Sequence, residues 1–133
     1  MSDIDSKIIH PEVMGNDEIL MERVMKVTEK HISDPDFNVE QLSVEAGISR
    51  AHLHRKMKDA TGVTPSDFIR NIRLKRASQL LRKPDIEITQ IAYMVGYNSQ
   101  PHFSTVFKKF TGYTPSEYRS KYLNDSSSLE ENV

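Results

Sequence analysis

The 133-residue chain has no cysteine. This excludes disulfides, thiolate metal ligands and a cysteine nucleophile together. Its apolar residues, 37% of the total, never form the run of ~18 needed to span a bilayer. The N-terminus lacks the basic-then-apolar order of a secretion signal. No glycine-rich phosphate loop, nucleophile elbow or pocketed pair of carboxylates can be picked out. Asp59 and Asp67 read as surface and capping residues. Aromatic residues are only 8%, and Phe103, Phe107 and Phe110 fall at core spacing rather than as a stacking platform for single strands. No segment alternates as a strand does. These absences predict an all-α, soluble, cytoplasmic protein that is not an enzyme.

What the chain does contain is a repeat. The stretch from His52 to Phe68, with Lys56-Met57-Lys58 and Thr61-Gly62-Val63-Thr64-Pro65-Ser66-Asp67, returns fifty positions later from His102 to Tyr118. There it carries Phe107-Lys108-Lys109 and Thr111-Gly112-Tyr113-Thr114-Pro115-Ser116-Glu117. Further back, Val39 to Gly47 resembles Ile88 to Gly96 at a spacing of forty-nine, so one residue, Asn98 or a neighbour, has been inserted. Two copies of one supersecondary unit share a scaffold, and their divergent outward positions become the places to look for specificity.

Charge follows the repeat. The net charge of −1 conceals a block from Arg50 to Lys121 with 14 Lys or Arg against 5 Asp or Glu, a balance of +9. The remaining residues hold 4 basic and 14 acidic side chains. A local positive field of this size attracts polyanions and releases counterions from phosphates.

Periodicity and caps predict about seven helices. Met1 to Gly15 reads as a linker or expression remnant. A helix from about Asp17 to Ile32 follows, capped by Asn16, with Ile19, Leu20, Arg23, Val24 and Val27 as a stripe that Arg23 interrupts. Asn38 caps the next helix with Gln41 at the capping-box position, and Glu87, a poorer cap, holds the equivalent place. Both helices end at glycine, Gly47 or Gly96, where a left-handed turn costs least. A second helix begins near Ser49 or Ser99, with Leu53, Met57 and Ala60, or Phe103, Phe107 and Phe110, facing inward. Helix, glycine turn, helix is a helix-turn-helix arrangement. Thr-Pro-Ser-Asp and Thr-Pro-Ser-Glu then open new helices. The first is a linking helix over 65–83; the last is short and ends near Tyr122. The predicted layout is a double helix-turn-helix domain over 16–123, with units at about 16–62 and 84–122, and a disordered acidic tail over 124–133.

With Leu53 and Met57 inward, Arg50, Ala51, His54, Arg55 and Lys58 point outward. The same argument turns Gln100, Pro101, Ser104, Thr105 and Lys108 out of the second copy. A helix presented this way fits the major groove. Arg55 suits guanine O6 and N7, Gln100 suits adenine N6 and N7, and Ala51 suits a thymine methyl. His54, Ser104 and Thr105 can donate to or accept from base edges. Arg50, Lys56, Lys58, Lys108 and Lys109 are better placed for phosphates. Among the cations of the linking helix, Arg73 and Arg76 are the ones expected in structural contacts. His52 and His102 recur at equivalent positions, which suggests a shared packing or phosphate role. His52 and His54 are only two apart and point differently, so no metal site or other cofactor is expected.

These residues carry a family resemblance. Ile69 to Ala77, Ile91-Ala92-Tyr93-Met94-Val95-Gly96-Tyr97, and the closing Phe110 to Arg119 resemble the DNA-binding domain of AraC/XylS-type transcription regulators over roughly Asp17 to Leu123. The resemblance implies a sequence-specific binder of double-stranded operator DNA, with two recognition helices in successive major-groove segments. About 18 residues of linking helix at ~1.5 Å rise give ~27 Å, which with the helix widths approaches the ~34 Å between groove segments one turn apart. Carried over by position, the base-reading places fall on Ala51, His54 and Arg55, and on Gln100, Pro101, Ser104 and Thr105. Ala51 is small where a larger side chain often sits, and Pro101 brings no side-chain donor. A DNA-repair relative with this type of domain would need a reactive cysteine. The text around Lys7 to Pro11, Phe37 to Leu42 and Ile69 to Leu81 looks most like the branch that ends two-component proteins. That implies the output domain of a response regulator or hybrid histidine kinase, with RNA polymerase as a further partner and a homodimer formed through upstream domains, and no membrane contact by this domain. The rival expectation is a helical protein-protein interaction module.

Overall fold

Five of the helices begin where a short polar side chain satisfies one of the first free amides. The computed structural model describes residues 15–131, and side chains as far as Asp125. Its helices are α1 (Asn16–His31), α2 (Val39–Ala46), α3 (Arg50–Thr61), α4 (Pro65–Leu81), α5 (Ile88–Met94), α6 (Gln100–Thr111) and α7 (Pro115–Glu131). No strand occurs among the described residues. The expected linker over Met1 to Met14 lies outside them.

The caps are local and follow the sequence closely. Asn38 Oδ1 accepts from the Gln41 amide at 2.9 Å. Ser49 and Ser99 accept from His52 and His102 at 3.1 and 3.3 Å. Thr64 accepts from Asp67 at 3.1 Å. At α7 the exchange is reciprocal: Thr114 Oγ1 accepts from the Glu117 amide at 3.1 Å while Glu117 Oε1 accepts from the Thr114 amide at 2.8 Å. Glu87 makes no side-chain cap bond. Asn38→Ala should therefore cost about 1 kcal/mol, lowering the melting midpoint by roughly 4–8 °C, whereas Glu87→Ala should leave it unchanged. Thermal melts of the two variants check this, and equal drops would refute the cap assignment.

Several expectations are corrected. Helix α1 starts at Asn16 rather than being capped by it, because the Gly15 carbonyl accepts from Glu18 and Ile19. Its buried face is Val24 and Thr28, while Ile19 is 43% exposed. The Gln41 side chain does not return to its cap; its Nε2 donates forward to Glu45 at 3.1 Å. Helix α4 ends at Leu81, short of Lys83. The Arg82 and Lys83 amides close it with three-residue bonds to the Gln79 and Leu80 carbonyls, since the residue before a proline, here Lys83 before Pro84, disfavours the helical region. Helix α7 passes Tyr122 and runs to Glu131, replacing the expected disorder over 124–131. No Gly or Pro follows Pro115 to stop it, and elongation of a nucleated helix costs little per residue.

The helices gather into two compact units, one running to Lys30 and resuming over Asn38–Phe68, the other formed by His31–Phe37 and the chain from Ile69 onward. In the first, Val24, Leu42, Ala46, Leu53 and Met57 are fully buried, and Arg23 Nη1 donates to the Ala46 carbonyl at 3.1 Å at the end of α2. In the second, Leu74, Ala77, Leu80, Leu81, Ile91, Ala92, Val95, Tyr97, Phe103 and Phe107 form one core. An aromatic row runs through it, with centroids 5.4 Å apart for Tyr97–Phe103, 5.6 Å for Phe103–Phe107 and 5.6 Å for Phe107–Tyr118. Such spacing adds specific ring contacts to area burial.

Two arginines collect backbone carbonyls in this second unit. Arg73 donates from Nη2 to Asp34 O at 2.7 Å and from Nε to Ile32 O at 3.4 Å. Arg119 donates to the carbonyls of Leu81, Lys83 and Ile86 at 2.9, 2.9 and 2.6 Å. Burial pulls Arg73 below the ordinary arginine value, with Tyr97 and Asp34 opposing, and burial raises Tyr97. Arg76, the other expected structural cation, is exposed.

Candidate nucleic-acid interface

In each unit the second helix of the pair turns one face into the core and leaves the other to solvent. Leu53 and Met57 on α3, and Phe103 and Phe107 on α6, are fully buried. Because 3.6 residues make a turn, that anchoring fixes which positions face out. Arg50, Ala51, His54, Arg55 and Lys58 are all exposed on α3. On α6, Pro101, Thr105, Lys108 and Lys109 are exposed, while Gln100 and Ser104 are half-buried.

The two faces differ in how far their polar groups are already engaged. Gln100 Nε2 donates to Ser104 Oγ at 2.9 Å, and Thr105 Oγ1 donates to the Pro101 carbonyl at 3.0 Å. On α3 the guanidinium of Arg55 and the imidazole of His54 make no hydrogen bond or ion pair among the described residues. Lys58 Nζ reaches forward to the Gly62 carbonyl at 3.4 Å.

Lys56 is not on the outward face. Its Nζ pairs with Asp17 at 2.9 Å, both side chains partly exposed. That contact joins α3 to α1, a partner the repeat did not announce. Ala60 and Phe110, expected inward, are exposed, Phe110 at 45%. Both lie in the last turn of their helices, past the buried layer, and the Arg70 guanidinium lies 3.6 Å over the Phe110 ring. His102 is exposed and meets Tyr97 edge-on with centroids 5.5 Å apart.

The cap at α7 makes the fold sensitive to acid. The Thr114 amide bonded to Glu117 holds that carboxyl below the ordinary glutamate range, with Lys108 contributing. The folded state therefore binds this proton less tightly than the unfolded state. Its contribution is present above the ordinary range and is lost as pH falls through the folded value. The melting-midpoint gap between the parent chain and Glu117→Gln should close between about pH 6 and about pH 3; a gap constant over that span would exclude the carboxylate as its source.

Residues 42–121 match the family model described as Helix-turn-helix domain. The chain belongs to the AraC-type helix-turn-helix family. Members of this family are DNA-binding domains of transcription regulators. The chain is 43% identical over 106 residues to Histidine kinase P4 of Formosa agariphila, a match covering 80% of this chain and 8% of that protein. It spans between about a third and a half of several other curated relatives. Among solved structures, the C-terminal domain of AraT, a response regulator from Geobacillus stearothermophilus, has a TM-score of 0.72 at 32% identity, covering 77% of this chain and 84% of that one. The DNA-binding domain of AdpA, a global transcriptional factor solved with a target DNA, has a TM-score of 0.70 at 29% identity, covering 77% and 91%. Among the described residues, no helix of this AraC-type domain is long and apolar enough to cross a membrane.

Proposed function

We propose that this AraC-type domain reads two short blocks of double-stranded promoter DNA, one with α3 and one with α6, as the output domain of a two-component regulator. The observation that carries it is the pair of exposed helix faces above fully buried Leu53 and Met57, and above fully buried Phe103 and Phe107. Ala51, His54 and Arg55 face bases in one block; Gln100, Pro101, Ser104 and Thr105 face the other. Arg50, Lys58, Lys108 and Lys109 hold phosphates, which fix register without carrying sequence information. Lys56 drops to a secondary place because Asp17 occupies it. The domain has no catalytic activity of its own and works in the cytoplasm, where a promoter-bound copy meets RNA polymerase. The name of the histidine kinase relative and the response-regulator neighbour support the two-component setting.

Selection from a random duplex library tests the proposal. The expected winner has two short blocks about one helical turn apart, and its binding weakens steeply with salt because phosphate contacts release counterions. No enrichment, with binding indifferent to salt, would replace this reading with a protein-interaction module.

A further inference from the structure

The fifty-residue spacing aligns the two reading faces position by position. Arg50, Ala51, His54 and Arg55 of α3 correspond to Gln100, Pro101, Ser104 and Thr105 of α6. Both arginines of the first face are thus replaced by uncharged residues in the second. The four α6 positions carry no formal charge, and their hydrogen-bonding groups are partly spent within the helix. Ser104 Oγ receives Gln100 Nε2 at 2.9 Å, and Thr105 Oγ1 is turned back onto the Pro101 carbonyl at 3.0 Å. A threonine hydroxyl bonded to the carbonyl four residues earlier is a common helical rotamer. It leaves the Cγ2 methyl as the group that Thr105 offers to a ligand. Pro101 lies one turn earlier on the same exposed face and contributes only an apolar ring.

We infer that α6 reads thymine 5-methyl groups through the Pro101 ring and the Thr105 methyl, whereas α3 reads guanine through Arg55. This rests on the proposed DNA-reading function and adds to it the base feature each unit recognises. The methyl is the one apolar group that a base pair presents in the major groove, and it occurs only on T. An arginine fork belongs instead to the paired acceptors O6 and N7 of guanine. The pinned Gln100 amide keeps its second N–H and its carbonyl for an adenine in the same block, so the α6 block is composed of A·T pairs and the α3 block contains G·C.

The test uses the site recovered by selection with the chain itself. The block whose base preference relaxes in Arg55→Ala is assigned to α3, and the other to α6. Each thymine of the α6 block is then replaced by uracil, which keeps every hydrogen-bonding group and removes only the methyl. Burying one methyl predicts a loss of about three- to five-fold in affinity at each contacted position, with uracil outside both blocks as the control. Thr105→Ser, which keeps the hydroxyl and deletes Cγ2, should bring the thymine duplex down to the affinity of the uracil duplex at one position. Equal binding of uracil and thymine throughout that block, an α6 block without thymine, or a site with a single block would each overturn the inference while sequence reading stands. A selection that yields no site would overturn the reading function, and the inference with it.

Discussion

Gly96→Ala should lower the melting midpoint of the second unit by about 12 °C or more, corresponding to a loss on the order of 3 kcal/mol. Two independent costs add at this residue. Its φ of +89° lies in the left-handed region, which costs a residue with a Cβ about 1–2 kcal/mol. The new methyl would also press on the Ile32 carbonyl and lie 2.7 Å from Arg73 Nε. Those two groups are hydrogen-bonded to each other, so making room means withdrawing a partly buried guanidinium from the Ile32 and Asp34 carbonyls. Each buried polar group left without its partner costs about 1–3 kcal/mol. Gly112→Ala is the matched control. Its φ is +85°, but an added Cβ there meets nothing within 4 Å, so it carries the backbone cost alone. The difference between the two variants measures the crowding around Arg73. Equal drops would refute that account.

Arg55→Ala should weaken binding to the selected site by about 1–3 kcal/mol, roughly 5- to 150-fold, and relax the preference at one base position. The side chain is exposed and unengaged among the described residues, so its loss does not disturb the core and the melting midpoint should hold. A bidentate fork on guanine is among the most discriminating contacts a side chain makes, because a wrong base leaves both donors unpaired. Lys108→Ala should behave differently. A lost phosphate contact weakens all sequences alike and lowers the salt slope by about one. If Arg55→Ala also weakened all sequences equally, Arg55 would be a phosphate ligand and the guanine assignment would be wrong.

The parts of this protein that were legible in the sequence are those set by contacts within a few residues. Asn38, Ser49, Thr64, Ser99 and Thr114 announce helix starts because each cap reaches only three residues ahead. Leu53 with Met57, and Phe103 with Phe107, announce the buried faces because four residues return a helix to nearly the same side. The repeat then supplied the helix-turn-helix pairing, and its outward positions supplied the exposed faces of α3 and α6. Composition was a poorer guide: the serine-rich, acidic stretch after Asn124 pointed to disorder, yet α7 continues to Glu131.

Sequence by itself determined the all-α class, the duplicated unit, the basic block from Arg50 to Lys121 and the identity of the residues on the two outward faces. The tertiary structure decided which cations are already engaged within the protein. Lys56 is taken by Asp17, 39 positions away. Arg73 is taken by carbonyls 39 and 41 positions away, and Arg119 by carbonyls 33 to 38 away. Arg70 stacks on Phe110, which keeps an end-of-helix aromatic at the surface. All of these side chains are long and carry a charge that any partner within reach can capture. Helical period says which way such a chain leaves the backbone, and only the packing of distant segments says what it finds there.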